Sequence, residues 1–283
     1  MAPLMPAIEK DLALSHGKAG SFFFLVSAGY FFGLLGTGFI SSRLSHRRTI
    51  ILSAVTGGMA VLSVSFSDSL WGITLGLIFL GIAAGIYLPS GIATITSLVR
   101  PRHWGKALAV HELAPNVALA AAPLVAEGLL PWTSWRGILL LLALASFLSG
   151  AAFVCFGRGG DFSGKPPSFA AAKQLVGERS LWIIMILFTF GIGAVMGVYT
   201  MLPLFLTVER GMDPSRANSL IALSRAACVT MVFLVGWATD RLGAKRTLAG
   251  AFLLTALLTV LMGLMRGPWL ILIIILPVSY THL

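Results

Sequence analysis

The stretch Gly236-Trp-Ala-Thr-Asp240-Arg241-Leu-Gly243-Ala-Lys245-Arg246 places two glycines, one acid and three bases in a short polar turn between long apolar segments. A weaker copy lies 198 residues earlier, at Gly38-Phe-Ile-Ser-Ser42-Arg43-Leu-Ser45-His-Arg47-Arg48. Polar turns of this kind join membrane-spanning segments, and a turn that recurs at a fixed offset marks an internal repeat. The pair therefore indicates a duplicated membrane protein.

The composition agrees with a membrane protein. Of 283 residues, 57% are apolar and 11% are charged, with a mean hydropathy of +0.93; a soluble domain carries about 25% charged residues. Several uncharged segments exceed the roughly 20 residues of a spanning helix, and they lack the alternation of membrane strands. We predict an all-α polytopic fold with spans at 21–41, 50–66, 70–98, 107–130, 135–156, 181–206, 219–239 and 247–264, and a ninth beginning near Trp269.

The basic residues predict the orientation of the chain. The net charge is +10, but the bases cluster in short loops between the spans, which argues against a nucleic-acid partner. One set of alternate loops holds twelve bases and the other set holds six. By the positive-inside rule the first set is cytoplasmic, together with the polar linker at 158–179. We expect a multi-pass protein of the cell (inner) membrane, with the lipid bilayer as its surroundings.

A gapless comparison at the offset of 198 extends the repeat beyond the two turns. Leu25 aligns with Leu223, and Trp71 aligns with Trp269. Both halves have the same orientation, as in a parallel repeat about an axis along the membrane normal. The same offset predicts that the chain opens at the last turn of one helix and stops in the middle of its last span.

The Asp240 loop resembles the signature loop of the major facilitator superfamily, Gly-x-Leu-Ala-Asp-Arg-x-Gly-Arg-Arg, which joins the second and third helices of each six-helix half. The resemblance implies a two-bundle helical fold of twelve helices, of which this chain holds an incomplete set. Residues 1–157 would form the N-terminal bundle, from a stub of helix one to helix six. Residues 158–179 would form the cytoplasmic linker, and residues 180–283 the C-terminal bundle, from helix seven to part of helix ten. The loop matches the signature at Gly236, Asp240, Arg241, Gly243, Lys245 and Arg246.

The resemblance also implies a mechanism, which is secondary active transport of a small solute by alternating access. In this family the loop acts as a cytoplasmic latch, and Asp240 would lie at the amino end of the helix that starts near Lys106, where unpaired N–H groups favour an anion. The bases are equally consistent with plain positive-inside topology in the first copy.

The first copy departs from the signature. It keeps Gly38, Arg43, Arg47 and Arg48, but Ser42 replaces the acid and Ser45 replaces the second glycine. A serine supplies no charge, so this copy is expected to be a degenerate latch. The family's proton-coupling motif has an Arg four residues before a Gly in helix four, and here Leu77 occupies that position before Gly81. Proton coupling through that Arg is therefore not available.

Polar residues within the spans are candidates for the solute or coupling pathway. Arg225 lies about eight residues into its span, where a charge costs at least about 2.5 kcal/mol unless it is paired or hydrated. It is a candidate cation for an organic anion or a coupling carboxylate; snorkelling or a structural pair is the alternative. His111 can titrate near neutrality, although an interfacial pair with Glu112 is the favoured interpretation. Further candidates are Asn116, Glu127 (at the wet end of its helix or paired with Arg225), Tyr87 and Tyr199; for the tyrosines, ordinary helix bonding is the alternative.

The sequence shows no phosphate-binding glycine loop, metal-ligand cluster or nucleophile–His arrangement in a soluble segment. We therefore expect no cofactor and no enzymatic activity. The expected partner is a small solute, with or without a coupling ion, bound by a monomer. The alternative is a non-transporting membrane sensor or partner-binding protein on the same scaffold.

Overall fold

The computed structural model describes residues 2–213, 220, 231 and 233–264. Within these residues every regular element is a helix, as predicted for an all-α fold. The helices are α1 (Met5–Asp11), α2 (His16–Leu44), α3 (His46–Phe66), α4 (Leu70–Leu98), α5 (Trp104–Leu129), α6 (Trp135–Phe156), α7 (Phe169–Gly177), α8 (Arg179–Leu204, continued by a π-helical turn at Phe205–Glu209), α9 (233–242) and α10 (Ala244–Leu264).

The predicted spans agree with these helices, and two of them, 70–98 and 135–156, match at both ends. Others begin two to five residues late, because the sequence criterion excluded the polar first turn that the helix includes. In the described residues, five helices are long and apolar enough to cross a membrane: Gly17–Leu44, His46–Phe66, Leu70–Leu98, Trp135–Phe156 and Ala244–Leu264. The predicted span at 219–239 is described only in part, and the one near Trp269 lies outside the described residues.

The chain divides into two compact units. The first comprises Met1–Leu98 with Ala122–Ser168, and the second comprises Val99–Ala121 with Phe169–Leu283. Helix α5 therefore begins in the second unit and ends in the first. The division of the sequence into an N-terminal bundle, a linker and a C-terminal bundle stays a prediction, and the region of the linker contains one further helix, α7, that composition did not predict.

Glycines bring α2 and α4 of the first unit into backbone contact. A Cβ atom built on Gly29 or Gly33 would overlap the carbonyl groups of Ile78 or Ile82, and one on Gly81 or Gly85 would overlap the backbone of α2. Small-xxx-small pairs allow such close packing where lipid removes the usual hydrophobic driving force. Around this contact, α3 packs on α4 and α6.

Large apolar side chains cover much of the outside of the first unit. Phe24 is 72% exposed, and Phe79 and Leu148 are exposed in the middle of their helices. Apolar surface on this scale is unusual for a protein in water and is expected for one in lipid. The apolar core lies at one end of the unit. It includes buried residues from α1, α2, α3, α4, α5 and α6, among them Ile8, Phe22, Val64, Ile73, Leu77, Ala126, Trp135, Ile138 and Leu139.

A polar clasp closes that end of the unit. Arg136 stacks on the ring of Trp135 with its guanidinium carbon 4.3 Å from the centroid, and it donates to Asp11 and, at 3.4 Å, to Asp68. The indole of Trp135 also donates to Asp11, at 3.0 Å. The hydrogen bond from Arg136 is the main cause that holds the pKa of Asp11 below its ordinary value. A lowered carboxyl pKa stabilises the fold above about pH 4, and the effect is lost as the pH falls through the folded-state pKa.

Candidate functional site

The second copy of the charged loop brings Asp240 to the start of α5. Its Oδ1 accepts a hydrogen bond from the backbone N–H of Gly105 at 2.9 Å, and its Oδ2 accepts from the N–H of Lys106 at 3.3 Å. Gly105 and Lys106 follow Trp104, the first residue of α5. The first N–H groups of a helix have no partner within it, and the helix dipole favours an anion there. The structure thus places Asp240 on the helix that the resemblance implied.

Small residues on both helices make this approach feasible. A Cβ atom at Gly105 would lie 2.6 Å from both the carbonyl oxygen of Gly236 and Oδ1 of Asp240, and one at Gly236 would lie 2.7 Å from Cβ of Ala109. Sequence reasoning had singled out Gly236 but missed Gly105 and Ala109. Their Gly-x-x-x-Ala spacing is the signal that could have found them.

The three bases of the second copy lie at the surface. Arg241, Lys245 and Arg246 are exposed, and the guanidinium of Arg241 lies 4.7 Å from the ring centroid of Trp237. Lys245 and Arg246 stand in the first turn of α10, where a positive charge opposes the helix dipole. Their position therefore does not serve the stability of α10 and suits a negatively charged surface.

A left-handed residue separates the two helices in each copy. Gly243 has φ of 84° between α9 and α10, and Ser45, its repeat partner, has φ of 78° between α2 and α3. With ψ of 160°, Ser45 occupies a region that is essentially restricted to glycine, and its side chain makes no cap hydrogen bond to α3. Such a residue costs about 1–3 kcal/mol. The first copy thus retains the turn of the second without its glycine.

No acid stands at the first copy's signature position. Ser42, the repeat partner of Asp240, donates its hydroxyl to the carbonyl of Phe39 at 2.9 Å within α2. The neighbouring Arg43 and Arg48 are exposed. Ser42 is therefore engaged with its own helix.

The beginning of the linker holds the first copy instead. The N–H groups of His46 and Arg47, at the start of α3, donate to the carbonyls of Phe162 and Gly160 at 3.1 and 2.7 Å. The N–H of Gly164 donates to the carbonyl of Ser41 near the end of α2, at 3.0 Å. Linker backbone thus pairs with two N–H groups at the start of α3 that have no partner within that helix, and it adds a second donor to the Ser41 carbonyl, which also accepts from the N–H of Ser45.

Two glycines and a proline allow the linker to lie so close. Gly160 has φ of 76°, and a Cβ there would lie 2.9 Å from the nitrogen of Arg47. A Cβ at Gly38 would lie 2.8 Å from Cγ of Pro167. Gly38, which matches the signature, therefore faces the linker. The Gly159-Gly160 pair is the sequence signal that could have predicted this contact.

The side chain of Arg47 binds the C-terminal end of α6, where the linker begins. The guanidinium donates to the carbonyls of Gly157 and Val154 at 2.6 and 3.0 Å, at the C-terminus of α6, and lies 3.9 Å from the carboxylate of Asp161. A cation is favoured at a helix C-terminus. Beside it, the His46 ring packs on Phe162 with ring centroids 4.8 Å apart and shares a 3.1 Å hydrogen bond with Ser90.

The candidate pathway residues are described unevenly. Arg225 lies outside the described residues, and so does the side chain of Tyr199. Glu127 is exposed. On α5 and α4 the remaining candidates are half-buried, namely His111, Glu112, Asn116 and Tyr87. Asn116 donates to the carbonyl of Glu112 at 2.7 Å, which is an ordinary bond within α5. A solute pathway through these residues stays a prediction.

Two further observations bear on coupling and cofactors. Leu77, at the position of the family's proton-coupling Arg, is 0% exposed within the apolar core of the first unit. Within the described residues, no group of three or more His, Cys, Asp or Glu side chains is placed to hold a metal ion.

Comparison with known proteins gives one family. The family model described as Major Facilitator Superfamily matches residues 1–281. A crystal structure of the transporter FucP in the outward conformation superposes with a TM-score of 0.79 at 16% identity, covering 99% of this chain and 76% of that one. A structure of the E. coli fucose:proton symporter gives 0.76 at 16% identity, covering 99% and 77%. At this identity the structures show the fold alone.

Curated relatives are similar at low identity over most of the chain. A putative metabolite transport protein of Haemophilus influenzae is 25% identical, over 86% of this chain and 63% of its own length. The gallate transporter of Pseudomonas putida is 23% identical, over 93% and 66%. The 4-hydroxybenzoate transporter of Acinetobacter baylyi is 21% identical, over 93% and 66%. The chain therefore spans about two thirds of the length of these relatives.

Proposed function

Because the chain belongs to the Major Facilitator Superfamily, we propose that it is part of a secondary active transporter that moves a small organic anion by alternating access. The family and its solved neighbours are membrane transporters rather than enzymes. Two of the relatives are named for gallate and 4-hydroxybenzoate, which are both aromatic carboxylates. A carboxylate on a small apolar ring is accordingly the first solute class to test.

The observation that carries the proposal is the contact of Asp240 with the start of α5. A carboxylate on unpaired helix N–H groups is stabilised by charge-assisted hydrogen bonds and by the helix dipole, and the stabilisation falls off within the first turn. A small displacement of α5 from the loop therefore removes most of it. The Asp240 loop would then have two arrangements, one bonded to α5 and one released from it. These are the properties of a latch in a two-state transporter.

Arg225 is the residue that we propose to bind the organic anion. The apolar span around it makes an unpaired cation costly, and a bound organic anion would offset that cost. Its repeat partner is Ser27, which is exposed and bonds to its own helix at Phe23, so the shared fold does not require a cation at this position. The positive charge of Arg225 would then serve solute binding rather than the stability of the fold.

The test is uptake by the protein expressed from its complete reading frame. Radiolabelled 4-hydroxybenzoate and gallate are supplied to vesicles, with fucose and a purine nucleoside as uncharged comparisons. Arg225→Ala is expected to abolish uptake of the carboxylates while the protein still inserts into the membrane, and Ser27→Ala is expected to leave uptake unchanged. Normal uptake by Arg225→Ala would remove that residue from the mechanism. Thermal stabilisation by a carboxylate without any uptake would favour the sensor instead.

A further inference from the structure

The second part of the linker forms a short helix, α7, whose residues are all exposed. Helix α7 (Phe169–Gly177) has no buried residue, and Phe169 is 87% exposed. Glu178 alone separates it from α8, and the two helix axes meet at 76°. At about 1.5 Å per residue, nine residues extend about 13 Å, which is far too short to cross a bilayer.

Specific hydrogen bonds hold the bend between α7 and α8. The indole N–H of Trp182, in the first turn of α8, donates to the carbonyl of Val176 at 2.8 Å. The N–H of Glu178 donates to Leu175, and that of Leu181 donates to Glu178, at 3.0 and 3.1 Å. One of the last carbonyls of α7 is therefore bonded by α8 and another by the connecting residue Glu178, so specific bonds hold the angle between the two helices.

The direction of α8 sets the direction of α7 relative to the membrane. From Leu181 onward α8 is uncharged and apolar for more than 20 residues, as a spanning helix requires. Spanning helices tilt by about 0–40° from the bilayer normal. At the average tilt of about 20°, a helix at 76° to α8 lies within about 35° of the membrane plane. It is then at the level of Trp182, and tryptophan is enriched at the membrane interface.

The sequence of α7 matches an interfacial helix. At 100° per residue, Phe169, Ala172 and Val176 share one face, Leu175 borders it, and Gln174 lies opposite. Leu175 and Val176 are 55% and 58% exposed. Lys173 stands beside the apolar face, where its alkyl stem can lie along lipid while its ammonium reaches the headgroups.

We propose that α7 is a membrane-surface anchor whose apolar face enters the leaflet on the linker side and whose bases bind anionic phospholipid headgroups. Charge complementarity supports this occupant: Lys165, Lys173 and Arg179 stand against the single acid Glu178 between residues 165 and 179. The contact fixes the far end of the linker, whose near end is bonded to the first copy of the loop. The inference is independent of the transported solute.

The experiment places a fluorescent probe on each face of α7 in the full chain, with Cys155 and Cys228 replaced by Ser. Val176→Cys and Gln174→Cys carry an environment-sensitive NBD label in nanodiscs that contain brominated phosphatidylglycerol or brominated phosphatidylcholine. We expect blue-shifted emission and strong quenching by brominated lipid at position 176 but not at 174. Quenching at 176 should be stronger with phosphatidylglycerol. The double change Lys173→Gln and Arg179→Gln should lower that preference by about fivefold or more, whereas Lys18→Gln, the same change on the opposite side, should not.

Three results would overturn the proposal. Equal access of a water-soluble quencher to positions 174 and 176 would show that α7 has no lipid-facing side. Blue-shifted emission at 176 without quenching by either lipid would show that protein covers this face. Equal quenching by the two lipids in the starting protein would exclude anionic headgroups. Size-exclusion chromatography of each labelled protein distinguishes these results from misfolding.

Discussion

The two copies of the charged loop, at 38–48 and 236–246, have the same turn but different partners. In the second copy the Asp240 carboxylate accepts two N–H groups at the start of α5. In the first copy Ser42 bonds to its own helix, and linker backbone between Gly160 and Gly164 holds the ends of α2 and α3. A contact made by one charge can be broken by a small movement, whereas a contact distributed over several backbone bonds resists it. We infer that the second copy makes a releasable contact and that the first copy is a fixed support.

The largest expected effect comes from removing the charge of the second copy. Asp240→Asn keeps the shape of the side chain but loses its charge at the helix start, which is worth up to about 2 kcal/mol. The latch equilibrium should shift by about tenfold and uptake should fall by a similar factor. The matched change in the first copy, Ser42→Ala, removes one bond within α2 and should alter uptake by less than about twofold. Equal effects of the two changes on uptake would remove the functional difference between the copies.

A second change loosens the first copy. Arg47→Ala removes two guanidinium–carbonyl bonds and the nearby Asp161 pair, and each bond to a charged group contributes about 1.5–3 kcal/mol. Cleavage of the linker by trypsin after Arg158, which is followed by Gly159, should accelerate by about tenfold or more. The neighbouring Arg48 is exposed, so Arg48→Ala should change the cleavage rate by less than about twofold. Similar rates for both variants would show that Arg47 does not hold the linker.

The smallest effect concerns the turn that both copies share. Ser45→Gly relieves a left-handed serine and should raise the free energy of unfolding by about 1 kcal/mol, after the greater freedom of glycine in the unfolded chain is subtracted. The reverse exchange at the repeat position, Gly243→Ser, should lower it by about the same amount. Thermal unfolding in detergent measures both. Shifts of the same sign would mean that the two turns are not equivalent.

The sequence predicted the features that depend on composition and on side-chain chemistry. Uncharged segments located the helices, and the resemblance placed Asp240 at the start of α5. The sequence did not predict that the linker holds the first copy of the loop, because the bonds made by the backbone of Gly160, Phe162 and Gly164 do not depend on side chains. The positive φ of Ser45 was not predicted either, since serine is not typical of a left-handed turn. Helix α7 was not predicted because it has only nine residues, some of them polar.

The contact of Asp240 with α5 is measured most directly by hydrogen exchange of four backbone amides. Gly105 and Lys106 report on the second copy, and His46 and Arg47 report on the first. Amides at a helix start have no partner within the helix, so their protection depends on these contacts. In Asp240→Asn, exchange at Gly105 and Lys106 should accelerate by about tenfold while His46 and Arg47 stay protected. Unchanged protection at Gly105 and Lys106 would contradict the account.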